Sequence, residues 1–353
     1  MAGGRLADSP AAQFLRAAPA WDGVPVKIAT QQEEPTVLSS PAAVDKPSNG
    51  KPRRQPYGLM ILLIAIWGSF AAINRLALNT LDVFQVAFYT FVIAFAALTV
   101  WMLAARKFPL LARVSARQWF WLMLLAVLSF LYYFLYSLSL SMTNPVTASS
   151  INYLFPVFIT LLAVPINRER MTMGKLISVL LGFAGMVLIV TNGDFTTLKI
   201  DSVPGVLLAL TASVCWALFS TLGKMAEVDI VVSNFVYAGI ALVISTVLLI
   251  VNSGLAVPAP MAFFSIAWNA VMNFCVAYFL WFKILRKAKA SFAAGMSFIT
   301  PFATLLFIAV LLHEPITIAN IAGLLIIVFG VAVQNLKCFQ PKDKKTSAAP
   351  VEK

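Results

Sequence analysis

Ionisable groups are scarce in this chain, and acidic ones scarcest: its 353 residues hold 14 Asp and Glu against 26 Lys and Arg, with a single histidine, His313. Metal centres and acid–base catalysts need clusters of His, Cys, Asp or Glu. The pair Gly193–Asp194 sits at a span end with no His, Cys or second carboxylate beside it in the sequence, so neither an enzyme nor a bound cofactor is expected. Cysteine is equally sparse: Cys215, Cys275 and Cys338 lie in no CxxC or metal-ligand spacing, which excludes a disulfide framework and leaves them as small apolar filler. Charged residues make up only 11% of the chain, where a soluble domain carries roughly a quarter. The net charge of +12 does not by itself indicate nucleic acid, because that needs a clustered basic face interleaved with stacking aromatics.

What the chain has instead is apolar length, with 60% hydrophobic residues. Residues 1–56 are rich in Pro, Ala, Ser and Gln and read as a disordered N-terminal tail, or as the product of a misassigned start. Residues 337–353 form a second, shorter polar tail. Between them, runs near the 20 residues needed to cross about 30 Å of hydrocarbon recur with short breaks. Ten spans are expected, near 57–76, 83–105, 118–140, 146–167, 173–192, 204–224, 232–252, 262–284, 291–312 and 318–336. In lipid these runs must be helical, since an open strand would leave its backbone unpaired. The fold class is therefore an all-α membrane protein.

With ten spans both tails lie on one side. If that side is the cytoplasm, the inner loops carry twelve Lys and Arg, and the outer loops carry only Arg75 and Lys199. The positive-inside rule then places both termini in the cytoplasm.

The chain also repeats itself. NYLFPVFITLLAVPINRERMT at 152–172 and SFITPFATLLFIAVLLHEPIT at 297–317 align at an offset of 145, pairing Pro156 with Pro301, Glu169 with Glu314 and Thr172 with Thr317. The same offset pairs Tyr133 with Tyr278 and Gly185 with Gly330. An offset of 149 pairs Trp67 with Trp216, Phe70 with Phe219 and Arg75 with Lys224. Five spans per half is an odd number, so residues 57–192 and 204–336 are expected to be two five-helix repeats threaded in opposite directions. Such halves can exchange conformations about a central site, the geometry of alternating access.

These features resemble the EamA-type carriers of the drug/metabolite transporter superfamily, over about residues 57–336. NYLFP is similar to a stretch of the aromatic amino-acid exporter branch, with Phe155 where that branch has Trp, and VCWALFSTLGK is similar to its sixth helix. The resemblance implies a carrier exporting small amphipathic metabolites, amino acids foremost and aromatic ones among the candidates, from a bacterial inner membrane. Its partners would be a small solute and the bilayer, with no nucleic acid; oligomeric state is left open, a monomer being sufficient.

A carrier lining needs donors, acceptors and flat apolar faces. Trp67, Trp216, Tyr133 and Tyr278 lie mid-span rather than at the interfaces and read as lining or as packing. Asn152, beside Tyr153, is an amide in a span that needs a partner, supplied by solute or by another helix. Ser297 is its counterpart, and Ser69 and Ser220 are lesser polar positions. Pro156 and Pro301 are expected to free a carbonyl one turn earlier and act as hinges, open ligand groups or packing kinks. Glu169 and Glu314, at span ends, are expected to close gates or pin loops. No Asp or Glu lies mid-span, which argues against proton exchange on a buried carboxylate. A phosphorylated-metabolite or nucleotide-sugar antiporter would place a deep cation, for which Lys283 is the one candidate; a non-transporting scaffold is the other alternative.

Overall fold

The computed structural model describes residues 57–166, 171–194, 202–287 and 299–333. Both tails, Glu169 and Ser297 lie outside the described residues. Among the described residues there is no strand. The helices are α1 (Tyr57–Leu78), α2 (Val83–Ala104), α3 (Ala116–Met142), α4 (Pro145–Asn152), α5 (Phe155–Ile166), α6 (Met173–Val190), α7 (Val203–Leu222), α8 (Ile230–Asn252), α9 (Pro260–Trp268), α10 (Ala277–Lys287), α11 (Thr300–Leu312) and α12 (Ile318–Val333). A π-helical segment, Asn269–Val276, joins α9 to α10. Among the described residues eight helical stretches are long and apolar enough to cross a membrane, counting α4–α5 as one and Pro260–Leu280 as another; α11 and α12 are apolar but shorter.

Local chemistry sets the starts. Asp82 and Gln85 form a capping box at α2, and Ser115 and Gln118 form another at α3. Asn144 caps α4 just ahead of Pro145, Thr172 caps α6, Ser202 caps α7 and Asp229 caps α8. Each cap side chain takes backbone N–H groups that the helix cannot satisfy itself. α11 stops where His313 turns left-handed, with φ +54°.

The expected fourth span is divided. α4 ends at Asn152 and α5 begins at Phe155, so Pro156 stands in the first turn of a helix, where its missing N–H costs little, and not at a mid-helix kink. Pro301 likewise sits in the first turn of α11. The carbonyl that Pro156 cannot serve is that of Asn152, four residues back. That carbonyl is already engaged, because the Ser213 hydroxyl of α7 donates to it at 3.1 Å.

The helices pair as α6 on α12, α3 on α7, α2 on α8 and α1 on α11. α7 also packs on α4 and α5, and α1 on α9 and α10. α6 and α12 meet through glycine: a Cβ added to Gly185 would lie 2.5 Å from the Gly323 carbonyl oxygen, and one on Gly323 would lie 2.7 Å from that of Gly185. Lipid tails are as apolar as leucine, so close backbone approach is a main source of helix adhesion in a bilayer. Large apolar side chains such as Leu180, Val247, Leu306 and Phe329 are exposed on the outer faces.

Candidate functional site

The interior between α3, α4, α5, α7 and α10 is built from rings. Trp216 lies 4.6 Å, centroid to centroid, from Tyr132, 5.4 Å from Phe219, 6.1 Å from Tyr278 and 6.3 Å from Phe155. Tyr132 continues to Tyr136, which stacks on Phe70 at 5.5 Å. α3 supplies Tyr132, Tyr133 and Tyr136, and spacing of one and four residues puts the first and last on one helical face. Such ring pairs add about 0.5–1.5 kcal/mol each beyond burial.

Hydroxyls and amides are threaded through the rings. The Asn152 side-chain amide donates to the Tyr132 hydroxyl at 3.4 Å, while its side-chain oxygen, Oδ1, is buried and accepts no hydrogen bond. Tyr136 donates to Ser149 at 2.9 Å, and Tyr153 shares a 2.7 Å hydrogen bond with Thr304 of α11. The arrangement can hold a flat apolar group against Trp216 and offer a hydrogen-bond acceptor at Asn152.

The remaining sequence-derived positions fall elsewhere. Trp67 packs with Met60, Leu63, Ala277 and Leu280 in a separate cluster between α1 and α10. Tyr133 is buried and bonds Thr90 at 2.9 Å and Asn74 at 3.5 Å. Ser69 is buried and accepts from the Trp268 indole at 3.0 Å, whereas Ser220 is exposed. The Lys283 ammonium lies 5.6 Å from the centre of the Phe279 ring, a cation–π contact within its own helix rather than a deep phosphate grip.

The repeat spacing does not mark Tyr132, Tyr136, Asn74, Asn269 or Asn273. The asparagines carry a sequence signal of their own: an amide inside a span needs a partner, which is as true of Asn74, and of Asn269 and Asn273, four residues apart, as of Asn152. They form a chain in which Asn273 donates to Asn269 at 3.1 Å, Asn269 to Asn74 at 3.3 Å, and Asn74 to Ser137 at 2.9 Å.

Two ends of the bundle are latched. At one, Glu314 accepts from the Asn144 amide at 2.9 Å, and Arg75 donates to the Leu140 carbonyl at 2.5 Å. At the other, Lys107 after α2 forms an ion pair of 2.7 Å with Asp229 at the start of α8. Partial burial opposes ionisation of Asp229, but the hydrogen bond from Lys107, the amides of Val231 and Val232 and the Lys107 charge together hold its carboxyl below the usual value. Where α2 begins, Asp82 accepts from Ser253 and the Gln85 amide donates to the Gly254 carbonyl at 2.8 Å.

A groove of about 410 Å³ opens between α1, α9 and α11, lined by Leu62, Ile66, Met261, Trp268 and Phe307. Leu62 and Met261 are among the exposed apolar side chains, so the groove faces the surroundings of the bundle rather than the Trp216 cluster. Among the described residues no group of His, Cys, Asp and Glu could hold a metal ion.

Long apolar helices around an interior of rings, amides and hydroxyls, with no buried Lys, Arg, Asp or Glu among the described residues, define an integral membrane protein of the transporter class. The chain belongs to the EamA-like transporter family, which matches residues 55–191 and again 203–336. It is 28% identical to an uncharacterized transporter of Archaeoglobus fulgidus over 80% of this chain and 98% of that one. It is also 28% identical to the uncharacterized transporter YvbV of Bacillus subtilis, over 59% of this chain and 68% of the relative. A crystal structure of a protein aligns with a TM-score of 0.57 at 22% identity, over 78% of this chain and 95% of the other; that likeness concerns the fold alone.

Proposed function

We propose that the protein exports small, amphipathic, net-uncharged metabolites, amino acids and aromatic ones first among them, by alternating access between two inverted halves, residues 57–192 and 204–336. The single observation that carries the substrate class is the setting of Trp216. Tyr132, Tyr278 and Phe155 from three other helices lie within 6.3 Å of it, ring centre to ring centre, and Asn152 presents an unfilled acceptor, Oδ1, next to its bond with Tyr132. A flat side chain and an ammonium group match that pair, and no mid-span charge is present to select a net anion or cation.

The two-fold reading of the halves draws support from three relationships. The family pattern matches twice. The packing α3 on α7 has its counterpart in α9 and α10 on α1, and α7 on α4 and α5 has its counterpart in α1 on α11. The close approach of Gly185 to Gly323 is mirrored by that of Gly330 to Ser178, the positions reached by the 145-residue offset. In this reading α4–α5 and α11 pivot near Pro156 and Pro301, Glu314 closes the outer mouth, Glu169 serves the inner one, and Ser297 answers Asn152. Both termini are cytoplasmic, in a bacterial inner membrane.

The test is flux of labelled phenylalanine and threonine into liposomes holding the purified protein, beside empty liposomes. Saturable phenylalanine flux lost in Trp216→Ala supports the reading. Absence of flux for both removes amino acids and directs the search to other neutral metabolites; absence for every solute tried favours a non-transporting role.

A further inference from the structure

The groove between α1, α9 and α11 is a formed cavity outside the aromatic cluster. One stripe of α1, from Leu62 through Ser69 to Leu76, makes its floor, a length of about 21 Å at the helical rise. Its walls are fixed to that floor. The Trp268 indole of α9 donates to Ser69 at 3.0 Å. A Cβ on Gly68 would lie 2.9 Å from the Ala303 Cβ, so the start of α11 sits directly on α1, while Phe307 and Leu311 further along α11 line the groove.

The polar groups of the lining are all engaged within the protein. Ser69 donates to the Ile66 carbonyl at 2.7 Å and accepts from Trp268, and Ser265 donates to the Met261 carbonyl at 2.8 Å. No polar atom is exposed on the wall, so water, which needs about two to four polar partners, has none. A helix of a second copy fits no better. Helices associate in lipid through small residues that let backbones approach and through side-chain hydrogen bonds, whereas the rim carries Leu62, Met261, Phe264 and Leu311, all large and exposed. A flexible hydrocarbon chain needs neither device. The volume of about 410 Å³ lies in the range of small-ligand sites, and the floor is longer than the roughly 15 Å that one leaflet contributes to the hydrocarbon layer.

We propose that this groove binds one acyl chain of a bilayer phospholipid, held as a fixed ligand rather than as passing solvent. The site goes beyond the carrier reading and does not depend on it, because binding is measured without transport.

The experiment is photolabelling of the purified protein in nanodiscs of dioleoylphosphatidylcholine containing a small fraction of phosphatidylcholine with a diazirine in one acyl chain, the labelled residues being mapped by mass spectrometry. Ile73 of the groove floor is compared with Ile250 on the outer face of α8, two residues of one type that are 7% and 74% exposed. Contact with bulk lipid alone would label Ile250 over Ile73 by roughly tenfold, in proportion to those exposures. A lodged chain should label Ile73 at least as strongly as Ile250. Ala65→Phe, which places a ring in the groove, should return the ratio to the bulk value without lowering Tm. Exposure-proportional labelling in the parent overturns the proposal, whether or not Ala65→Phe folds. So does strong Ile73 labelling that survives in a folded Ala65→Phe, and so does an unlabelled groove in a protein that leaves the nanodisc with the mass of a dimer, which would give the groove to a second copy.

Discussion

Gly185 and Gly323 meet main chain to main chain. A methyl group placed on either would fall within 2.7 Å of the other's carbonyl oxygen, a separation that real side chains do not tolerate. The flanking Ile189 and Ile327 close the contact from each side. Gly185→Val or Gly323→Val should therefore force α6 and α12 apart and cost about 1–3 kcal/mol by overpacking, read as a lowered Tm by fluorescence size-exclusion. Gly254→Ala, with nothing within 4 Å, is the control and should melt like the parent.

Trp216 should matter by shape as well as by area. Trp216→Ala leaves Tyr132, Tyr278 and Phe155 around a void and should abolish saturable uptake of an aromatic solute. Trp216→Phe keeps a smaller ring and should mainly raise KM, because binding is weakened alike in every state the solute visits. Equal loss in both variants would indicate a role in the fold, which a lowered Tm in Trp216→Phe would identify.

The bundle itself was legible because hydrocarbon imposes a length and a composition on every span. Breaks inside a span were harder to see. Pro156 marked the right place but suggested a kink, whereas the chain ends one helix at Asn152 and starts another at Phe155; which neighbour would take the Asn152 carbonyl depended on Ser213, 61 residues away. The repeat drew attention to Trp216, Tyr278 and Asn152, yet symmetry says nothing about Tyr132 and Tyr136, whose place follows from the rotation of α3. It was silent too on the asparagine chain, which joins three helical stretches through side chains with no shared motif.

Ser213→Ala should show what that long-range contact contributes. The Asn152 carbonyl would be left buried with no donor, at a cost of about 1–3 kcal/mol. A lowered Tm, with Ser213→Thr retaining the hydroxyl and most of the stability, is the expected result. Indifference to Ser213→Ala would mean that water reaches the break.

Glu314 and Asn144 tie the end of α11 to the start of α4. With Cys215, Cys275 and Cys338 replaced by Ala, Glu314→Ala removes the acceptor and should raise the reactivity of a cysteine introduced at Ser149, the hydrogen-bond partner of Tyr136, toward an impermeant thiol reagent. Glu314→Gln keeps an acceptor oxygen and should react at close to the parental rate. Equal reactivity in all three would remove the gate role while leaving the contact as loop packing.

Lys107 and Asp229 make a latch whose acid sensitivity has a definite sign. The Asp229 carboxyl is held below its ordinary value, so the folded state prefers the ionised form. Its contribution to stability is fully present above the unfolded carboxyl's pKa and is lost as pH falls through the lower folded value. Stability should thus be insensitive to this pair near neutrality and decline only in acid. Both side chains are partly exposed, 27% and 35%, so the ion pair alone contributes about 0.2–1 kcal/mol. Asp229 also caps α8 through Val231 and Val232, and removing a cap costs about 0.5–2 kcal/mol. Asp229→Ala should therefore lower Tm more than Lys107→Met does, and Asp229→Asn, which keeps the cap oxygen, should fall between the parent and Asp229→Ala. The acid decline assigned to this carboxyl should disappear in Asp229→Asn; if it persists, other carboxylates carry it and the latch acts through its cap alone.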